Sequence, residues 1–350
     1  MKILFILIII ILFDILKNNK EDRYLIVKGC AGLGNRLFTI IDALKYCELS
    51  NRKLYVDWSD GQFGKKNENI FHQFFFVDHP LYTETLPKNV SESSDVFPIS
   101  WSGNLTKSIY DLFNVGIPNF FVKKIPSVFL SSNIISRKSQ LWVYKDQNLN
   151  YGLKAIFDKK NMDFGSNLSL NKNFKYLIYC DFNPFHDNIK YLKHLRLNNS
   201  CLSHIDQWVK KHEFSENVLG IHVRFSDKKP NKSVESLIEY LQKKYNSMLI
   251  FLSTDNLDIE KHFRSSFKNK LISFPKNLPH KLNSRGIHMW GLDNNNADYN
   301  VEMLRTSIID MWLLSKCKFL FYQGNSSFSN ISKFLHTKPE NCINWETVIN

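Results

Sequence analysis

The stretch V-L-G-I-H-V-R-F-S-D, Val218 to Asp227, decides the reading of this chain. Aliphatic and β-branched residues run into His222, Arg224 and Asp227, the pattern of a buried strand that presents three polar side chains at its C-terminal end. In open α/β sheets that edge is where ligands bind. Arg224 brings a planar, permanently charged guanidinium, shaped to grip a phosphate with two parallel hydrogen bonds. A plainer reading pairs it with Asp227 as a strand-end ion pair. Its neighbours along the chain favour the first.

Cys201 to Lys211 reads as a helix leading into this stretch. After it, Ser233 to Lys244 is helical by the spacing of Val234, Leu237, Ile238 and Leu241, and Met248 to Leu252 is a strand ending in Ser253-Thr254-Asp255. Leu271 to Phe274 is a further short strand. Glu302 to Cys317 is a helix, Phe319 to Tyr322 a strand ending in Gly324-Asn-Ser-Ser-Phe-Ser329, and Ile331 to Leu335 a last helix. Strands alternating with helices predict a parallel α/β sheet, and each polar cluster follows a strand, so the clusters share one sheet edge. On its helix Asp310 has Leu313 and Leu314 at i+3 and i+4, which places the carboxylate on the apolar face. Such a group needs donors: either a protein partner, with Arg305 the nearest, or a ligand edge such as guanine with its ring N–H and exocyclic amine. Ser326 and Ser327, in a turn entering a helix, offer hydroxyls and backbone N–H groups to a phosphate, or else an ordinary helix cap.

In the N-terminal half, Tyr24 to Val27 is a strand pattern, followed by Gly29-Cys-Ala-Gly32-Leu-Gly34-Asn35-Arg36 and a helical run from Leu37 to Leu49. The turn is not a P-loop, because Gly34 is followed by Asn35 and Arg36 in place of Lys and Ser or Thr. Its glycines also miss the dinucleotide order. Asp57, after a strand-like Leu54 to Val56, keeps an NAD-binding Rossmann oxidoreductase open as an alternative. Between Phe71 and Lys145 aromatics such as Phe74, Phe75, Phe76, Trp101, Trp142 and Tyr144 are expected to fill a core more than to stack on sugars. Tyr176 to Tyr179 is another strand, and 183–200 is a crossover between domains.

With 350 residues the chain has room for two domains of ordinary size. Lys and Arg outnumber Asp and Glu by 46 to 33, a net charge of +13, which biases the surface toward anionic partners. The basic residues are dispersed and form no nucleic-acid motif, so nucleic acid is excluded as a partner. Six cysteines lie far apart without a C-x-x-C, which argues against zinc and redox motifs. Residues 3–16 are apolar apart from Asp14 and, as a helix, span only about 21 Å, short of the roughly 30 Å hydrocarbon core. No small-x-small cleavage site follows, so a retained membrane attachment is expected, in a secretory or Golgi-like setting or at an inner membrane. Sequons at Asn89, Asn104, Asn167, Asn198, Asn231, Asn325 and Asn330 suit a secreted chain, but two of them adjoin the motifs singled out above.

Taken in order, G-L-G-N-R (32–36), H-V-R-F-S-D (222–227), S-T-D (253–255), L-R-T-S-I-I-D (304–310) and N-S-S-F-S (325–329) resemble the GDP-fucose-dependent fucosyltransferases of GT-B fold: the α1,2 enzymes, the α1,6 enzymes including the nodulation type, and the protein O-fucosyltransferases. The resemblance implies two Rossmann-type α/β domains facing a cleft: a hydrophobic segment over 1–20, an acceptor-side domain over 21–200 and a donor-binding domain over 201–350. It implies that Arg224 grips the β-phosphate of GDP, that His222 lies beside base and ribose, and that Asp310 reads guanine. Ser326, Ser327 and the Phe328 backbone would hold the pyrophosphate, Asp255 would shape the cleft, and Gly34, Asn35 and Arg36 would close over fucose and acceptor. Phe225 stands where many relatives carry a second Arg. No carboxylate matches the base of the α1,6 enzymes, which leaves Asp227, with Glu235 as the other near acid. The expected activity is inverting transfer of L-fucose from GDP-fucose to a glycan or glycoprotein hydroxyl, with neither metal nor cofactor. A non-catalytic, membrane-attached glycan-binding protein is the other alternative.

Overall fold

The computed structural model describes residues 21–90, 93–97, 101–108, 174–180, 188–278 and 296–349. The apolar segment over 1–20, the aromatic Trp142 and Tyr144, Asn167 and residues 183–187 of the expected 183–200 crossover lie outside these residues. Two parallel sheets carry the architecture. The first joins β1 (Tyr24–Lys28), β2 (Lys53–Asp57), β4 (Val96–Phe97) and β5 (Tyr176–Tyr179) in the order β2-β1-β5-β4. A two-stranded antiparallel pair, β3 (Phe75–Val77) with β6 (Leu195–Leu197), lies beside it.

The second sheet joins β7 (Val218–Val223), β8 (Leu249–Thr254), β9 (Leu271–Ile272), β10 (Phe319–Tyr322) and β11 (Cys342–Asn344) in the order β11-β10-β7-β8-β9. Counted from β7 this is the doubly wound order, with its switch point between β7 and β10, where the chain turns from building one side of the sheet to the other. All six residues of β7 are buried, as its unbroken apolar run requires of a strand covered on both faces. Pairing of β7 with β8 sets His222 beside Ser253 and Val223 beside Thr254, so two of the polar clusters leave the sheet at the same level.

The helices largely follow the apolar spacing. α1 (Leu33–Ser50) begins four residues before the expected Leu37, so Gly34 sits in its first turn and the glycine-rich loop is short. The four-residue α2 (Phe71–Phe74) precedes β3, and α4 (Phe214–Asn217) precedes β7. α3 (Asn199–His212), α5 (Val234–Lys244), α6 (Leu257–Phe267) and α7 (Ala297–Lys316) start behind Asn198, Ser233, Asn256 and Asn296, whose side chains accept from backbone N–H groups of the first turn. α6 was not foreseen, although Ile259, Phe263 and Phe267 recur at helical spacing and are buried. β9 is shorter than expected. It pairs only with Ile250 and Phe251, and Ser273 turns instead to Glu260 and Arg264.

The halves share a core. The largest apolar cluster includes Leu37 and Phe38 of α1 together with Leu313 and Leu314 of α7 and Ile331 of α8 (Ser327–Leu335). Phe38 meets Phe334 edge to face at 6.1 Å, and Phe75 meets Trp312 at 5.9 Å. Phe71, Phe74, Phe75 and Trp101 are buried as core, whereas Phe76 is 43% exposed. All six cysteines are free thiols. This packing of α1 on α7 and α8 brings the first glycine-rich turn over the switch point of the second sheet.

Candidate active site

A cleft of about 280 Å³ opens at the switch point, floored by the ends of β7 and β8 and roofed by residues 31–35 of the other half. Arg224 leaves β7 with its backbone N–H donating to Gln323 Oε1 at 2.9 Å, a bond that ties the loops after β7 and β10 across the switch. Its guanidinium is held by Asp227 through both Nε (2.7 Å) and Nη2 (2.6 Å). Both carboxylate oxygens of Asp227 are thus engaged, and as a base it becomes available only when this pair opens. The two readings of Arg224 therefore coincide in one side chain that is paired with Asp227 and also lines the cleft. Asp255 accepts from the backbone N–H groups of Phe225 (2.7 Å) and Ser226 (3.2 Å) and from the Ser226 hydroxyl, so it folds the 224–227 loop into place. Glu235, exposed at the start of α5 and bonded to its own cap Ser233, does not line the cleft. Lys228 does, and burial followed by the charge of Arg224 pushes its ammonium below the ordinary lysine range.

Asp310 projects from the inner face of α7 and is 2% exposed. Its protein partner is not Arg305, which turns outward to Glu302. Instead Oδ2 accepts from Ser253 Oγ at 2.9 Å and from Lys276 Nζ at 2.5 Å, while Oδ1 is buried without a partner at the cleft wall. Burial raises the Asp310 pKa, with Lys276 and Ser253 opposing. Lys276, only 7% exposed, was not singled out from the sequence. It lies two residues beyond the last apolar residue of the β9 region, with no local pattern to mark it.

His222 stacks on Phe328, ring centroids 4.9 Å apart, with Nδ1 buried and unpaired. Burial first, then Arg224 and Lys276, push its pKa down to about 3, so the ring is neutral at working pH. The folded value lies below the unfolded one near 6.5, so the unfolded chain takes up the proton first. Stability is full above that pH and falls as the pH drops from there toward 3. Acidification from pH 7 to 5 is expected to cost roughly 2 kcal/mol through this group. Urea titrations at both pH values should show the loss in wild type and its reduction in His222→Gln; equal losses would assign the slope to other groups.

The N-terminal loop contributes less directly than expected. Gly34 and Asn35 line the cleft, but Arg36 does not. Arg36 is 1% exposed and fully engaged by Asp60 (2.9 and 2.6 Å), Gln62 (2.8 Å) and the Ala31 carbonyl (3.1 Å), with Trp58 and Phe63 against its plane. Its place is behind the loop, fixing it. Gly34 is needed for close approach. A Cβ there would lie 2.5 Å from the Ser327 carbonyl carbon and 2.6 Å from the Phe328 nitrogen, backbone that cannot swing aside. Gly34→Ala is expected to cost about 1–3 kcal/mol and to lower the melting temperature. An unchanged melting temperature would show that the halves do not need this contact. Ser327 and Phe328 line the cleft, whereas Ser326 is fully buried behind the turn with its hydroxyl unpaired and is not part of the wall.

The dinucleotide alternative finds little room. A Cβ on Gly29 would strike Arg36 at 2.2 Å, Gly34 is covered by Ser327 and Phe328, and Asp57 is tied to Lys28 at 2.6 Å. Among the described residues no cluster of three His, Cys, Asp or Glu side chains offers a metal site.

Two parallel α/β units facing a cleft at a sheet switch point define the GT-B architecture of glycosyltransferases. The chain has the same fold as solved structures of fucosyltransferases. It is similar to NodZ α1,6-fucosyltransferase co-crystallised with GDP, at TM-score 0.56 and 17% identity over 91% of this chain and 93% of that one. It is similar also to NodZ from Bradyrhizobium, at 0.55 and 17% over 91% and 94%. An arginine-to-lysine variant of FUT1 from Arabidopsis thaliana in complex with GDP follows at 0.51 and 13%, over 90% of this chain and 68% of that one. At these identities the likeness establishes the fold. No protein-family model matches the sequence, and neither does any curated protein.

Proposed function

We propose that the protein is an inverting fucosyltransferase that moves L-fucose from GDP-fucose to a hydroxyl of a glycan or glycoprotein. The observation that carries this reading is the unpartnered buried Oδ1 of Asp310, set in the wall of a cleft that also holds Arg224 and Lys228. A buried acceptor without a donor costs stability, and a guanine edge supplies the missing N–H. The cations Arg224 and Lys228 that line the same cleft suit the pyrophosphate, as do the donors of the turn at Ser327 and Phe328. Structures of NodZ and of FUT1 with GDP, which share the fold, support the same choice of donor.

Inversion in one displacement needs stabilisation of the departing GDP and a base for the acceptor. Arg224 and the Ser327–Phe328 turn stabilise the leaving charge without a divalent metal. As the pyrophosphate draws the guanidinium away, Asp227 is released and takes the acceptor's proton. Neutral His222, stacked on Phe328, presents Nδ1 to a ligand hydroxyl near the ribose. Membrane attachment through residues 3–16 is part of the proposal; among the described residues no helix is long and apolar enough to cross a membrane.

Thermal shift with GDP, GDP-fucose, UDP and NAD, followed by GDP release from GDP-fucose on a glycan panel in EDTA, tests the reading. Stabilisation by the guanine nucleotides and turnover in EDTA are expected. Stabilisation by NAD alone would restore the oxidoreductase, and glycan binding without GDP release would leave a non-catalytic binding protein.

A further inference from the structure

A carboxylate oxygen has two lone pairs, and those of Asp310 Oδ2 are filled by Ser253 Oγ and Lys276 Nζ. Any ligand donor must therefore use Oδ1, which is buried and unpaired. An ammonium has three donors, and Lys276 gives one to Asp310; the described residues supply no acceptor for the other two. Lys276 lines the main cleft and also a second cavity of about 170 Å³, bounded by Asn277, Tyr299 and Met303. The ammonium, bonded to Oδ2 of the same carboxylate, thus lines the cleft together with Asp310, a donor next to an acceptor. Guanine presents the complementary pair on adjacent ring positions, an N1–H donor and an O6 acceptor. Adenine presents the reverse, and its 6-amino group would face the ammonium donor to donor.

We propose that Lys276 is a specificity-determining residue that donates to O6 of the donor base, while Asp310 Oδ1 accepts from N1–H and the 2-amino group. This rests on the guanine-nucleotide reading given above. Serving both Asp310 and the base, Lys276 makes the pocket select a 6-oxopurine. Its ion pair holds the ammonium in place before the ligand arrives, so little is spent on ordering it.

The test is calorimetric titration with GDP, 6-thio-GDP and IDP. The first substitution replaces the position-6 oxygen with a larger and weaker acceptor, and IDP lacks only the 2-amino group. Wild type is expected to prefer GDP over 6-thio-GDP by about tenfold. Lys276→Met should bring that ratio close to one while the preference for GDP over IDP persists. Lys276→Arg, which keeps a charged donor, should retain part of the position-6 preference. Equal binding of GDP and 6-thio-GDP by wild type overturns the proposal without needing a variant that folds. So does a Lys276→Met protein that weakens both ligands alike, since that marks only a lost ion-pair partner. Failure of wild type to bind any of the three would overturn the guanine reading itself, an outcome distinct from either.

Discussion

Arg224→Ala is expected to lower fucose transfer at least a hundredfold, about 3 kcal/mol of transition-state stabilisation, while the protein remains folded. The size follows from chemistry: the departing diphosphate gains charge as the glycosidic bond breaks, and a charge-assisted donor in a partly dry cleft is worth more there than in the ground state. The fold should survive because Arg224 hangs its guanidinium on Asp227 at the cleft and supports no core residue. Its backbone bond to Gln323, which ties the two loops, remains in the alanine variant. The result to look for is a fall in kcat with an unchanged unfolding midpoint in urea. Wild-type turnover by this variant would remove Arg224 from the reaction, and the released Asp227 could not compensate, since it adds negative charge beside the leaving group.

Asp310→Asn is expected to have the second large effect, on stability and on nucleotide choice together. The change leaves the Lys276 ammonium, 7% exposed, without its counter-charge, and breaking one side of a buried pair costs about 3–5 kcal/mol. It also replaces an acceptor pair with an amide that donates as readily as it accepts, so GDP should lose its advantage over ADP. The double change Asp310→Asn with Lys276→Met removes both charges. It should recover much of the stability without recovering the preference for GDP, which separates holding the fold from reading the base. If the single variant keeps wild-type discrimination, Asp310 is a structural partner of Lys276 and nothing more.

How far the site could be read in advance depended on whether its residues carry a local signature. Arg224, Asp255 and Asp310 do: each follows an apolar strand or interrupts an apolar helix face, and burial then forces its polar group toward the cleft. Gln323 and Lys276 carry none. Gln323, fully buried, accepts from the Arg224 backbone across 99 positions of sequence, and Lys276 meets Asp310 across 34. Both are single polar residues, Gln323 directly after β10 and Lys276 four residues past β9, alike in sequence to many solvated ones. Arg36 and Ser326 went the other way. Their motif suggested the cleft, but Asp60 and Gln62 draw the guanidinium behind the loop, and the turn at Gln323 buries the Ser326 hydroxyl.

The sequence by itself determined the parallel α/β layout, the strand-end placement of the polar clusters and the burial of Asp310. These follow from periodicity and from the cost of an unpaired polar group, both local in the chain. Only the tertiary structure decided which clusters face one another. The order β11-β10-β7-β8-β9 puts the loops after β7 and β10 side by side, and the packing of α1 against α8 sets Gly34 on the Ser327 backbone. Only there does the pairing of Lys276 with Asp310 appear, whereas that of Arg224 with Asp227, three residues apart, was already one of the two sequence readings. Residues far apart in sequence compete for the same partners once they share a cleft, and that competition has no trace in the spacing of either one.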